Sequence, residues 1–180
     1  VGVSSGHVGL VLSLLALGFN AGEDHSTKEV IVPAMTFFST AEAPAFLGMK
    51  VVVCDIDEYF NMDVNKLESL INKNTVAIIP VNLFGQCANY DVILNIAKKH
   101  NLFVVEDACQ SFGASYKNIK SCSGKLGDIA VTSFFPAKPL GCFGDGGMVF
   151  TNDENIYKNL KQLRHHGDEG GMIHVKLGTT

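Results

Sequence analysis

Lys138 is the lone amine in the stretch Ser133-Phe-Phe-Pro-Ala-Lys138-Pro-Leu-Gly141-Cys-Phe-Gly144-Asp-Gly146-Gly147, downstream of a strand-like run that ends in Glu106-Asp107. A lysine among glycines, matched with a remote carboxylate, has the makings of a Schiff base. The amine would hold an aldehyde cofactor such as pyridoxal phosphate. The acid would keep the pyridine nitrogen protonated, so that the ring can accept electrons. Desolvation or a nearby cation would lower the amine's pKa towards the range where it attacks carbonyls and shuttles protons. Pairing with a pyridinium would keep Asp107 ionised. Taken singly, the two are more often a solvated loop lysine and a strand-end aspartate, so the argument depends on what positions them.

Apolar, β-branched runs alternate with helix-like segments, the pattern of an α/β protein on a mostly parallel sheet flanked by helices. Strands are predicted over 29–32, 50–54, 75–80, 102–106, 129–133 and 147–151, and helices over 6–17, 37–47, 63–71, 90–99 and 153–165. Asn89 or Asp91 would start the fourth helix, and Asn152-Asp153-Glu154 would cap the fifth. No repeat, low-complexity tract or linker interrupts the chain, so residues 1–180 read as one domain. In open parallel sheets ligands bind beyond the carboxyl ends of the strands. Asp107 and Gln110 are predicted to follow one strand, and Ser133 to close the next with Lys138 five residues on. Ser4-Ser5-Gly6 precedes the first helix, where free N–H groups and the positive dipole end suit a phosphate, or serve simply as a cap.

Of 180 residues, 47% are hydrophobic and 18% charged, with net charge -4 and a pI near 5.8. That composition supports one sizeable core and leaves no footprint for nucleic acid or an anionic membrane. The apolar stretch Val8 to Leu17 is too short to span a bilayer and lacks the flanks of a signal peptide. Cys54, Cys87, Cys109, Cys122 and Cys142 are odd in number and never in a Cys-x-x-Cys pair, which suggests neither a disulfide framework nor a zinc site and fits a reducing cytoplasm. The chain begins with Val1 and stops after a loop-like segment, which reads as a piece of a longer protein.

Seven ordered motifs carry a more specific resemblance: Val3-Ser-Ser-Gly6, Val32-Pro-Ala-Met-Thr-Phe37-Phe-Ser-Thr-Ala41, Asp55-Ile-Asp57, Ile79-Pro-Val-Asn-Leu-Phe-Gly-Gln86, Glu106-Asp107-Ala-Cys-Gln110, Gly127-Asp128 and the Ser133 to Gly147 stretch. Together they resemble the DegT/DnrJ/EryC1/StrS sugar aminotransferases, which are fold-type I pyridoxal phosphate enzymes, and the likeness runs through essentially the whole chain.

The resemblance implies that Lys138 carries the cofactor as an imine and that Asp107 partners its ring nitrogen. Gln110 would lie near the ring hydroxyl, Phe37 would stack on the pyridine face, and Ser133 with the backbone at Gly6 and His7 would receive the phosphate. His7-Val8 stands where the family commonly has threonine and an acidic residue, so a hydroxyl contact would be lost there and a backbone contact kept. Cys109 replaces a small alanine and reads as packing, and His165-His166 as solvent-facing loop residues.

The implied reaction is amino transfer from L-glutamate to a nucleotide-linked keto sugar for surface polysaccharide or glycan synthesis, with the run from Lys138 to Gly147 closest to members acting on UDP-linked 3-keto hexuronic acids. Full-length members are about twice as long, with a further N-terminal segment and a small C-terminal domain. They form homodimers whose sites are shared, and His174 to Thr180 resembles the approach to a loop of the shared site. A dehydratase branch has histidine in place of this lysine. Two other classes are weighed: a nicotinamide oxidoreductase, against which the absence of Gly-x-Gly-x-x-Gly speaks, and a non-catalytic or truncated cofactor-binding module.

Overall fold

The β-branched runs are apolar on both sides, and such strands are stable only in the middle of a layered structure. The computed structural model describes residues 1–179. In chain order these form β1 (Gly2–Val3), α1 (Gly6–Ala16), β2 (Glu29–Pro33), α2 (Ser39–Phe46), β3 (Lys50–Cys54), α3 (Val64–Leu67), β4 (Thr75–Ile78), α4 (Tyr90–His100), β5 (Phe103–Asp107), β6 (Ser115–Tyr116), β7 (Ile119–Lys120), β8 (Ile129–Ser133), β9 (Gly147–Phe150) and α5 (Glu154–Leu163).

Seven strands make one sheet in the order β1-β9-β8-β5-β4-β2-β3, and β6-β7 is a separate hairpin. The five strands from β3 to β8 run parallel. β9 pairs antiparallel with β8, and β1 antiparallel with β9. The fold expectation of a mostly parallel sheet with flanking helices is met.

Alternation along the strands divides the core. Val30, Val32, Ala77, Ile79, Val105 and Val131 pack with α1 and α5 on one face. Ile31, Ile78 and Val104 pack with Ile93, Ile96 and Ala97 of α4 on the other. Helix α1 has no polar stripe: Leu10, Leu12, Ser13, Leu14, Leu15 and Ala16 are all buried, as befits a helix enclosed by its neighbours rather than one facing water.

Capping side chains set the helix starts. Ser5 Oγ accepts from Val8 N–H at 3.1 Å, and Asp153 Oδ1 accepts from the amides of Asn155 and Ile156 at 2.8 and 3.0 Å. Asn89 precedes α4 as expected but makes no side-chain cap bond; its Oδ1 accepts instead from Tyr116 Oη at 3.1 Å.

Several boundaries move. Asp107 is the last residue of β5, not the first beyond it, because its N–H bonds Pro80 O at 2.9 Å and its carbonyl accepts from Asn82 N–H at 3.1 Å. The helix predicted over 63–71 turns into a 3-10 turn after Leu67. Helix α2 starts at Ser39, leaving Phe37 outside it. The segment read as the approach to a shared-site loop ends at Thr180, which lies outside the described residues. All five cysteines are free thiols, and among the described residues no helix is long and apolar enough to cross a membrane.

Strand β9 lies flush against the start of α1. A Cβ at Gly147 would stand 2.8 Å from the carbonyl C and O of Ser5 and 2.9 Å from Thr132 O, all backbone atoms that cannot swing away. Gly147→Ala in the full-length protein is expected to lower stability by about 1–3 kcal/mol, read as a lower urea midpoint. An unchanged midpoint would show that the two segments are free to separate.

Candidate active site

Five chain segments converge at the carboxyl end of the parallel strands. Asp107 ends β5 and Ser133 ends β8. The β2–α2 connection brings Thr36 and Phe37, the residues after β4 bring Val81 and Phe84, and the start of α1 brings Ser5, Gly6 and His7. With Gln110, Lys138 and Asp145 they line one cavity of about 820 Å³, within the usual range for small-molecule sites. All seven residues singled out in the sequence (Gly6, His7, Phe37, Asp107, Gln110, Ser133 and Lys138) face this cavity.

The carboxylate is built in. Asp107 is only 5% exposed. Its Oδ2 accepts from Thr40 Oγ1 at 2.7 Å, and Thr40 is joined in turn to Thr36 Oγ1 at 2.7 Å. Its Oδ1 accepts from Cys109 N–H at 3.2 Å. None of the ion pairs among the described residues involves Asp107. Both of its oxygens are therefore held by donors.

Lys138 is half-buried in the loop that leaves β8. Its N–H donates to Phe135 O at 2.8 Å, and bonds of 2.8 Å from Cys142 N–H to Phe134 O and from Phe134 N–H to Gly146 O close the loop. Its Nζ stands 5.8 Å from the centre of the Phe37 ring. Phe37 is 68% exposed; as an isolated residue it suggests core, and the structure puts it on the cavity wall instead. Gln110 Oε1 accepts from Phe84 N–H at 3.3 Å.

At the other end, Ser133 Oγ accepts from Phe135 N–H at 3.2 Å beside the start of α1, whose first N–H groups have no intrahelical partner. A Cβ at Gly6 would lie 2.8 Å from Ser133 Cβ and 3.1 Å from Cys109 Sγ, so any larger residue would fill this cradle. His7 Nδ1 lies 3.3 Å from Glu42 Oε2.

Burial pushes the Cys109 thiol well up, the Asp107 charge beside it adds to this, and Lys138 opposes it. Cys109 therefore packs as a neutral thiol, as its sequence context suggests. His165 and His166 are exposed and lie outside the cavity, with His165 Nε2 3.7 Å from Asp168 Oδ2.

Thr36, Thr40 and Glu42 carry no role in the sequence reading. No periodic signal marks the two threonines, since Thr36 precedes α2 and only Thr40 lies in it. The arrangement fits a ligand with a carbonyl for the amine, a basic ring nitrogen for the carboxylate and an anionic group for the cradle, because each finds a group of matching charge and reach.

The model of the DegT/DnrJ/EryC1/StrS aminotransferase family matches residues 1–179. UDP-2-acetamido-2-deoxy-3-oxo-D-glucuronate aminotransferase of Pseudomonas aeruginosa is 46% identical over 99% of this chain and 48% of its own length. The structure of S. venezuelae DesV superposes with a TM-score of 0.92 at 36% identity, covering 100% of this chain and 47% of that one. A Bacillus subtilis protein, NtdA, solved with bound cofactor PMP, superposes with a TM-score of 0.85 at 34% identity, covering 100% of this chain and 39% of its own. The chain thus spans about half the length of the curated relatives it matches.

Thr40 is the donor on which the buried carboxylate depends most. Thr40→Val in the full-length protein is expected to cost about 1–3 kcal/mol by leaving Asp107 Oδ2 unsatisfied, and Thr40→Ser to restore most of it. Equal urea midpoints for the valine and serine variants would show that the hydroxyl does not support Asp107.

Proposed function

This chain belongs to the DegT/DnrJ/EryC1/StrS aminotransferase family, and from that premise we propose that residues 1–180 are the cofactor-binding large domain of a pyridoxal phosphate-dependent aminotransferase. The full-length protein transfers an amino group from L-glutamate to a nucleotide-linked keto sugar for surface polysaccharide or glycan synthesis. The observation that carries this reading is the meeting of Lys138, Asp107 and the Gly6–Ser133 cradle around one cavity.

When bound, pyridoxal phosphate supplies an aldehyde that can accept an amine and a protonated ring that can accept electrons. Lys138 would be the amine that holds it and would take and return a proton at the substrate carbon, a role that needs it in both protonation states. Asp107, its oxygens held by Thr40 and the Cys109 amide, would pair with the ring nitrogen and keep it protonated. Ser133 Oγ and the Gly6 and His7 amides would hold the phosphate, Phe37 would support the ring face, and Gln110 would lie beside the ring hydroxyl.

The keto sugar is proposed to be a UDP-linked 3-keto hexuronic acid; the Pseudomonas aeruginosa relative, named for such a substrate, supports this at 46% identity. Lys138, where the dehydratases have histidine, speaks against that branch. The functional protein is read as a cytoplasmic homodimer with shared sites. Phe37, Phe84 and Phe135, 68%, 68% and 50% exposed around the cavity, support closure by further polypeptide, because such a rim is costly to leave wet.

Lys138→Ala in the full-length protein is expected to abolish covalent cofactor attachment after borohydride reduction, read by intact mass. Attachment at the unsubstituted level would reject the lysine. Asp107→Asn is expected to lower kcat/KM with L-glutamate at least about 100-fold, and near-normal turnover would remove its proposed role. In the unsubstituted protein, L-glutamate should convert the visible cofactor band to a near-ultraviolet one. A band that ignores glutamate would point to another donor or to the non-catalytic module.

A further inference from the structure

On the face of β5 opposite Asp107, the neighbouring residue Glu106 is completely buried. Its Oε1 accepts from Ser121 Oγ at 2.6 Å, Asn82 Nδ2 at 2.9 Å and Cys122 N–H at 3.3 Å, while Oε2 is buried with no partner. Asn82, also fully buried, accepts on Oδ1 from Ala88 N–H and Tyr90 Oη, both at 3.0 Å, and its own N–H closes on Asp107 O at 3.1 Å. A second hydroxyl, Ser111 Oγ, bonds Ser121 Oγ at 2.7 Å. Three segments thus meet on one carboxyl: the end of β5, the 82–88 connection that carries Phe84, and the turn after β7.

We propose that Glu106 is a positioning residue that, as a neutral acid, clamps these segments together and so fixes where Asp107 and the Phe84–Gln110 contact stand at the cavity. Its charge state follows from its surroundings. The titratable groups that face it are Asp107, Cys87, Tyr90 and Cys122, none of which is ever a cation, and it forms no ion pair among the described residues. An ionised carboxylate there would leave Oε2 carrying buried charge with no partner at all, unlike Asp107, both of whose oxygens are bonded. Burial accordingly pushes the Glu106 acid up from its ordinary value, against the pull of its three donors and with the help of the Asp107 charge.

A raised carboxyl pKa in the folded state contributes stability that is complete at low pH and is lost as pH rises through the folded value. Glu106→Gln keeps an acceptor at Oε1 and removes that loss.

The clamp's cofactor consequence rests on the proposed function, whereas the clamp itself does not, and the experiment separates the two. In the full-length protein without cofactor, Glu106→Gln is expected to retain slow hydrogen exchange in the peptides carrying Asn82, Asp107 and Cys122. Its melting temperature relative to the unsubstituted protein should rise as pH increases above the ordinary carboxyl range. Glu106→Ala should lose that local protection and, well below its melting midpoint, bind pyridoxal phosphate about tenfold more weakly. Ser121→Ala, which removes one donor, should show the same local loss to a smaller degree and serves if the alanine variant does not fold.

Exchange that is unchanged in both Glu106→Ala and Ser121→Ala, or in Ser121→Ala where the first does not fold, would overturn the clamp. A glutamine variant as damaged as the alanine one, or a melting difference that does not grow with pH, would overturn the neutral acid. Unaltered cofactor affinity in a locally loosened variant would overturn the positioning role. If the unsubstituted protein binds no pyridoxal phosphate, the functional reading fails while exchange and melting still judge the clamp.

Discussion

The mouth of the sheet is organised around a carboxylate held out of water with no lysine, arginine or histidine against it. A carboxyl group buried in this way is tolerable only when hydrogen bonds replace its lost hydration. Asp107 obtains one bond from its own strand end, through Cys109 N–H, and one from across the layer, through Thr40. The second bond ties α2 to β5, although the two are not adjacent in sequence. That tie fixes the start of α2 and the Phe37 that precedes it, and so the ring near which the Lys138 ammonium lies.

The sheet was legible because its strands are buried on both faces and read as continuous β-branched runs, while α4 and α5 carry one apolar stripe each. The antiparallel placement of β9 was not legible, since a four-residue strand has no directional signature. β1 and the β6–β7 hairpin, two residues per strand, are shorter than any period that could announce them. The site divides along a similar line. Lys138, Asp107, Gly6 and Ser133, singled out through the ordered motifs, do line one cavity. Thr40 and Asn82 were not singled out, because a threonine in a helical start and an asparagine after a strand have common structural uses. Their importance comes from partners 67 and 24 residues away.

Phe37 shows the limit of composition as a guide. A phenylalanine in an apolar run predicts burial, and in an isolated domain burial would be its most stable fate. Its position before α2 is dictated by the Thr36–Thr40 bond, and the outcome is a largely exposed ring. Local stability has yielded here to the geometry of a binding wall, which is where consistency between sequence pattern and structure is expected to fail.

Helix α1 begins at a closely packed point beside the cavity. Its N-terminus cannot drift, because Gly6 lies against Ser133 and Cys109 while the residue before it, Ser5, lies against Gly147, with room for no added Cβ at either glycine. Recognition at such a pinned helix end comes chiefly from backbone N–H groups, whose direction is set by the helix and not by the side chain at any one position. His7 therefore presents its amide whatever its side chain does, and its imidazole lies beside Glu42 of α2, with Nδ1 3.3 Å from Oε2. The close packing at Gly6 and Gly147 restricts those two positions severely and so relaxes the demand on the residue between the cradle and the rest of the helix.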